Sequence, residues 1–230
     1  MQRIGGKDLR RGHSGRARRE CGFSLIEVLI VVAVLMIMGG VTFISLQPVL
    51  KDARVATAYD DVLMMLRTSR QRAITERKQY IVCFGVDTPM GALTPLGAPT
   101  AQSIQVFRWD AGTNLSAAVQ VTAIQLPIDI QFQTLSGLPN SSTTVPDGFG
   151  SGNTALDLDQ GVAGGIRDQL MFMPDGSAVD TIGNANNGIV YLARTGELYS
   201  SRAVTVYAAT GRIRGWRLLN TNGSPNWTEQ

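Results

Sequence analysis

Hydrophobic and polar positions divide the chain into four stretches of different rhythm. Residues 1–22 are polar and basic, with no apolar cluster that could build a core. From Phe23 to Leu46 the sequence becomes almost uniformly apolar, broken by one carboxylate, Glu27. These 24 residues predict a helix of ~36 Å, enough to cross a hydrocarbon core of ~30 Å. Gly39 and Gly40 are of a kind common in membrane-spanning helices, where they permit bending or close packing. From Pro48 the helical pattern turns amphipathic. Ala56, Tyr59, Leu63, Leu66, Arg70 and Ala73 recur at intervals of three and four, while Asp52, Arg54, Asp60, Asp61, Arg67 and Arg72 fall mostly elsewhere. Residues 47–78 are therefore expected to form the amphipathic half of one long helix, Phe23 to Lys78, with Pro48 at the junction at a cost of ~3 kcal/mol.

After Lys78 the period changes from helical to alternating. Short runs rich in β-branched and aromatic residues are expected as strands at 79–86, 103–109, 119–126, 128–134, 169–173, 188–192, 203–208 and 214–219. Gly, Pro, Asn and Asp separate them, and Pro127 marks a break or an edge. Eight short strands behind one helix predict an α+β unit over 79–230, an antiparallel sheet or small sandwich burying one face against the amphipathic half. Two loops, 87–102 and 136–165, exceed the usual length for a compact domain and are expected at the surface.

Charge changes meaning once it is located. The chain carries a formal +3, with 21 Lys and Arg against 18 Asp and Glu, but seven of the basic residues and two of the acidic ones lie in residues 1–22. The remainder holds 14 basic and 16 acidic residues, so the bulk basicity belongs to the N-terminal segment. An Arg-rich flank held in the cytoplasm orients the apolar run so that everything after Leu46 lies across the membrane. The basic cluster Arg67, Arg70, Arg72, Arg77 and Lys78 reads as a solvated helix face, given Asp60, Asp61 and Glu76 nearby.

Chemistry that needs histidine is excluded if residues 1–22 are removed. His13 is the only histidine, and its loss leaves no Ser-His-Asp triad, Cys-His pair or His-liganded zinc site. Cys21 goes with it, and Cys83, in the run Tyr80-Ile81-Val82-Cys83-Phe84, is expected as a buried apolar residue with no disulfide partner. Asp157, Asp159 and Gly161 stand at a spacing found in calcium loops, but Arg167 occupies the position of the terminal glutamate, so no metal or cofactor is expected.

Gly22 followed by Phe23, Ser24, Leu25, Ile26 and Glu27 resembles the type III signal of type IV pilins and type II secretion pseudopilins. The resemblance implies a pilin-like fold, cleavage after Gly22 by prepilin peptidase, and methylation of the new N-terminal Phe23. It implies that Glu27 pairs with the N-terminal ammonium of a neighbouring subunit during assembly, which would offset the cost of a carboxylate in a membrane helix. An ordinary anchor with a snorkelling glutamate is the plainer alternative. Two later stretches are similar to motifs of the GspH and FimT group: Phe172-Met173-Pro174-Asp175-Gly176, a turn signal behind a strand, and Gly211-Arg212-Ile213-Arg214.

In an extended segment Arg212 and Arg214 project from one face, with Trp216 and Arg217 close by. Such a face can grip phosphates, with Trp216 available for stacking, and in the FimT-like minor pilins that the Gly211-Arg212-Ile213-Arg214 stretch resembles the motif is associated with binding incoming DNA. The other reading has the arginines pairing with acidic residues of the headgroup or of an adjacent subunit. The expectation is thus a non-enzymatic minor pseudopilin of the type II secretion system, anchored in the bacterial inner membrane with a periplasmic headgroup. Its expected partners are prepilin peptidase and other pilin-like helices, with no small-molecule substrate. A minor type IV pilin of pilus assembly or DNA uptake is the alternative.

Overall fold

The computed structural model describes residues 24–85, 102–110, 112–140, 144–150, 154–160, 167–180 and 182–230, apart from the side chains at 41 and 44–46. Gly22, Phe23, Gly161 and all of the loop 87–102 except Gln102 lie outside the described residues. The chain forms two compact units, Met1–Gln47 and Pro48–Gln230.

One helix, α1, runs from Leu25 to Glu76, 52 residues with Pro48 in its interior. The Ser24 carbonyl accepts the N–H groups of Glu27 and Val28 at its start. Ser24 and Glu27 stand at capping-box spacing, and a carboxylate in the first turn complements the helix dipole. In the first unit the large apolar side chains from Leu25 to Met38 stand exposed. Among the described residues alone, no helical stretch is long and apolar enough to cross a membrane. The expected span, 23–46, includes Phe23 and side chains at 41 and 44–46 that are not among them.

In the second unit α1 buries Val55, Ala58, Tyr59, Val62, Leu63, Leu66 and Ala73 along one face. Ala56, expected on that face, is exposed, and the buried row starts one residue earlier, at Val55. The helix stops where Arg77 adopts a left-handed φ of 54°, and the chain reverses directly into a strand.

Eleven strands follow: β1 Gln79–Phe84, β2 Ser103–Trp109, β3 Val119–Gln125, β4 Ile130–Gln131, β5 Leu156–Asp157, β6 Gln169–Phe172, β7 Ala178–Val179, β8 Gly188–Arg194, β9 Arg202–Tyr207, β10 Arg212–Thr221 and β11 Ser224–Glu229. They build two antiparallel sheets, ordered β3-β2-β1-β6-β7 and β11-β10-β9-β8-β4, with β5 also paired to β8. The expected strand at 128–134 shrinks to two residues, because Pro127 opens a turn in which its carbonyl accepts the Ile130 N–H at 2.9 Å. β5, β7 and β11 fall outside the expected runs, the first two being only two residues long, and β11 is the longest of the three. It pairs with β10 across Asn222 and Gly223, whose φ values of 53° and 84° are those of a type I′ hairpin turn.

The main core lies between α1 and one face of each sheet: Tyr80, Val82 and Phe84 of β1, Val190 and Leu192 of β8, and Val204 and Val206 of β9 pack with the helix row. The opposite face of β1 carries Ile81 and Cys83 into a smaller cluster with Phe107 and Met171. Cys83 is a free thiol there, and burial pushes its pKa far above the usual range, which makes it an inert apolar residue. The opposite face of the second sheet is covered by the long loop. Leu138 joins Ile189, Tyr191, Leu218 and Trp227; the Trp227 indole donates to the Pro139 carbonyl at 2.9 Å; and Phe149 stacks on Tyr207. The described part of 136–165 is therefore a packed layer. Asp157 and Asp159 are fully buried, with Arg167 paired to Asp159 at 3.3 Å, and no cluster that could hold a metal occurs among the described residues.

The tightest approach of helix to sheet is at Gly215 of β10. A Cβ there would overlap the buried hydroxyl of Tyr59, which has no hydrogen-bond partner among the described residues. Gly215→Ala is expected to destabilise the second unit by ~2 kcal/mol through overpacking. Tyr59→Phe in the same chain removes the hydroxyl but leaves the ring Cζ 2.7 Å from the added methyl, so it should restore only part of that loss, measured by denaturant unfolding of Pro48–Gln230; equal stability of the single and double variants would refute the contact with the hydroxyl.

Candidate functional site

β10 lies between β9 and β11, so its side chains alternate between the helix and the far face of the sheet. Ile213 packs into the main core and Gly215 meets Tyr59 and Leu63, which fixes the odd-numbered residues toward α1. Arg212, Arg214, Trp216 and Leu218 share the other face. The two arginines thus project together, with Trp216 beside them and Arg217 on the opposite face.

The four residues meet different surroundings. Arg212 is exposed and makes no ion pair among the described residues. Arg214 is half-buried and held by two carboxylates, donating from Nη1 to Asp147 at 2.7 Å and ion-paired through Nε with Glu229 at 3.0 Å. Asp147 accepts in addition the Thr205 hydroxyl at 2.6 Å, and the Trp216 indole donates to that same hydroxyl oxygen at 3.0 Å. Trp216, Thr205, Asp147, Arg214 and Glu229 therefore form one continuous chain of polar contacts across β11, β10, β9 and the long loop. Asp147 reaches it from the turn Pro146-Asp147-Gly148, where its own φ is 56°. Its turn signal was readable in the sequence, but its pairing with Arg214, 67 positions away, was not.

Arg217 lines a cavity of about 550 Å³ with Asp52 of α1 and the turn from Gly196 to Ser200. It stands in register with Arg202 of β9. Arg202 is buried and donates to the carbonyls of Ser200 and Ser201 at 3.2 and 3.1 Å. Burial, followed by repulsion from Arg217, draws its pKa down to about 10.

Gly211 opens the motif at the point where three elements meet. Arg70 of α1 donates from Nε to the Gly176 carbonyl at 3.0 Å and from Nη2 to the Thr210 carbonyl at 2.9 Å. Gly176 ends the Phe172-Met173-Pro174-Asp175-Gly176 stretch, and Thr210 precedes Gly211. Gly211 has a φ of 62°, and a Cβ on it would overlap the Gly176 oxygen and crowd Arg70. The two motifs that stood apart in sequence are thus clamped by one guanidinium. Beside the clamp, Arg67, Arg70, Gln71 and residues Thr210 to Ile213 line a cleft of about 510 Å³, in which Arg67 and Arg212 are exposed. Within the first motif, Asp175 accepts the Ser177 hydroxyl at 2.6 Å and its N–H at 2.9 Å, contacts that hold the Asp175 carboxyl below its ordinary value of 3.8.

In the first unit, Glu27 lines a shallow groove of about 240 Å³ with Val28, Val31 and Val32.

Arg212→Ala is expected to leave stability within ~0.5 kcal/mol, whereas Arg214→Ala should cost ~1 kcal/mol, reduced from a buried-pair value because the guanidinium is part-exposed. Urea unfolding of both variants separates them, and equal values would contradict the assigned contacts. For Asp175 the lowered pKa stabilises the fold above pH 3.8, and that contribution is lost as pH falls through the folded value. Ser177→Ala should therefore raise the Asp175 pKa toward 3.8 in an NMR titration of the carboxyl.

Comparison with known proteins bears on the N-terminus. Residues 17–43 match the family model described as the prokaryotic N-terminal methylation motif. No curated protein matches the chain. Among solved structures, the type IV minor pilin FimU of Pseudomonas aeruginosa PAO1 is similar at 11% identity and a TM-score of 0.42, covering 76% of this chain and 94% of that one. The minor pseudopilin EpsH of the type 2 secretion system of Vibrio cholerae is similar at 11% identity and a TM-score of 0.40, covering 70% and 94%. The chain thus carries a prepilin-type methylation motif, which implies processing by prepilin peptidase and extends into a helix that leads to an antiparallel α+β unit.

Proposed function

We propose that this chain is a minor subunit of a type II secretion pseudopilus. In this reading prepilin peptidase cuts after Gly22 and Phe23 is methylated. Residues 23–46 hold the chain in the bacterial inner membrane, and the second unit is the periplasmic headgroup. The helix then leaves lipid by packing against the helices of other subunits, with Glu27 paired to a neighbour's N-terminal ammonium. Its work is assembly and protein export, not catalysis. The observation that carries the reading is that the methylation motif at 17–43 runs into a single helix whose apolar side chains, Leu25 to Met38, are exposed in the isolated chain. Exposed apolar rows of that length ask for lipid or for other helices.

The alternative, a minor type IV pilin that captures DNA, is favoured by one observation, the cleft with exposed Arg67 and Arg212. Against it, the second arginine of the motif already has two carboxylate partners, Asp147 and Glu229. That leaves few free charges for phosphates, and electrostatic DNA binding scales with their number.

Glu27→Ala is expected to leave the chain membrane-bound while abolishing its co-purification with sheared filaments; normal incorporation would refute the assembly role. In a salt series, Pro48–Gln230 is expected to give no retention of duplex DNA at physiological ionic strength. Retention that falls with salt and vanishes in an Arg67→Ala, Arg212→Ala variant would move the assignment to the DNA-capturing pilin.

A further inference from the structure

Two turns flank the start of α1 in the second unit. Pro127–Ile130 is tied to the helix through Asp129, whose Oδ2 lies 3.6 Å from Arg54 Nη1 and 3.6 Å from Arg194 Nε. Thr195–Ser201 is tied to the same arginine through Glu197 at 2.7 Å, and shares the 550 Å³ cavity with Asp52 and Arg217. Asp52 and Arg54, the helix residues that these turns meet, are four and six positions beyond Pro48, within ~9 Å along the helix axis of the point where this unit begins.

This end exposes apolar side chains singly among charges. Ile128 is 86% exposed, more than any other large apolar side chain among the described residues, including Leu25 at 83%. Its backbone is firmly held: the Ile128 carbonyl accepts from Gln102 Nε2 at 2.8 Å, Asp129 is ion-paired, and Ile130 is fully buried. The side chain is therefore presented by a fixed turn. Tyr199, Val49 and Leu50 are exposed at the same end, with the exposed guanidinium groups of Arg54 and Arg217.

We propose that this end of the unit rests on the bilayer surface, with Ile128 inserted at the boundary between acyl chains and lipid headgroups. The inference rests on the membrane-anchored reading above. An aliphatic tip, a tyrosine and cationic side chains at one level have the chemistry of a membrane–water interface, where apolar groups enter the acyl boundary and cations meet phosphates. The level itself is set by the chain. Leu50 closes the largely apolar stretch of α1, and Lys51-Asp52-Ala53-Arg54 opens the charged one.

The test uses the whole chain reconstituted alone in vesicles of phosphatidylethanolamine and phosphatidylglycerol, with photoreactive benzoylphenylalanine in place of Ile128. As a reference, the same group replaces Val119, which is 56% exposed on β3. Irradiation is expected to give a lipid adduct at position 128, read by mass spectrometry, and none at 119. Equal labelling of the two positions, no adduct at 128, or a crosslink to a second copy would overturn the proposal. Carbonate extraction of the same vesicles keeps the two readings apart. A chain that resists extraction but gives no adduct refutes the surface contact alone, and a chain that is released refutes the anchor as well as the contact.

Discussion

The second unit depends on one guanidinium. Arg70 leaves the helix and donates to the Gly176 and Thr210 carbonyls, one in the turn between β6 and β7, the other in the turn between β9 and β10. These turns belong to different sheets, so a single side chain sets the height of both sheets on α1. A charged donor serving two carbonyls is worth more than neutral hydrogen bonds and tolerates little displacement. The glycines at 176 and 211 follow from it: each has a positive φ, and a Cβ on either would strike the clamp or its neighbours. The Gly-Arg-Ile-Arg stretch therefore has a reason to begin with glycine that involves no ligand.

A second constraint works on the opposite face. Asp147 brings the long loop onto the second sheet by accepting from Arg214 and from Thr205, while Leu138 and Phe149 fill the apolar gaps beneath it. The described part of the loop is a layer of the sandwich with little regular structure beyond β5 and the short turn Pro146–Gly148. Its polar composition reflects many turns, and a few apolar anchors supply the burial.

Much of this was legible in the residues. The helical period after Pro48 and the continuous apolar β1 were readable as helix and strand from their periods, and so was the helix of the apolar run. Boundaries failed where a local rule was underweighted. Ile128 to Thr134 looked like a strand by composition, but Pro127 turns the chain. Asn222-Gly223 is among the strongest short-range hairpin signals, yet the segment behind it, Ser224 to Glu229, is too polar to read as a strand on its own. The partners of Arg214 were beyond reach for a different reason. Asp147 and Glu229 approach it from opposite directions along the chain, and nothing in spacing marks a pairing across 67 residues. Arg70 was legible only as a member of the helix face, and its role as a donor to two turns requires the fold.

The place of β1 has a mechanical consequence. α1 passes, through the reversal at Arg77, straight into β1, and β1 is an interior strand hydrogen-bonded along both edges, to β2 and to β6. The first strand after the helix is therefore not a free edge: α1 cannot draw it out of the sheet without breaking the ladder to β2 and the ladder to β6 together. The turn at Arg77 joins the helix to the middle of the sheet and leaves the sheet's edges to elements later in the chain.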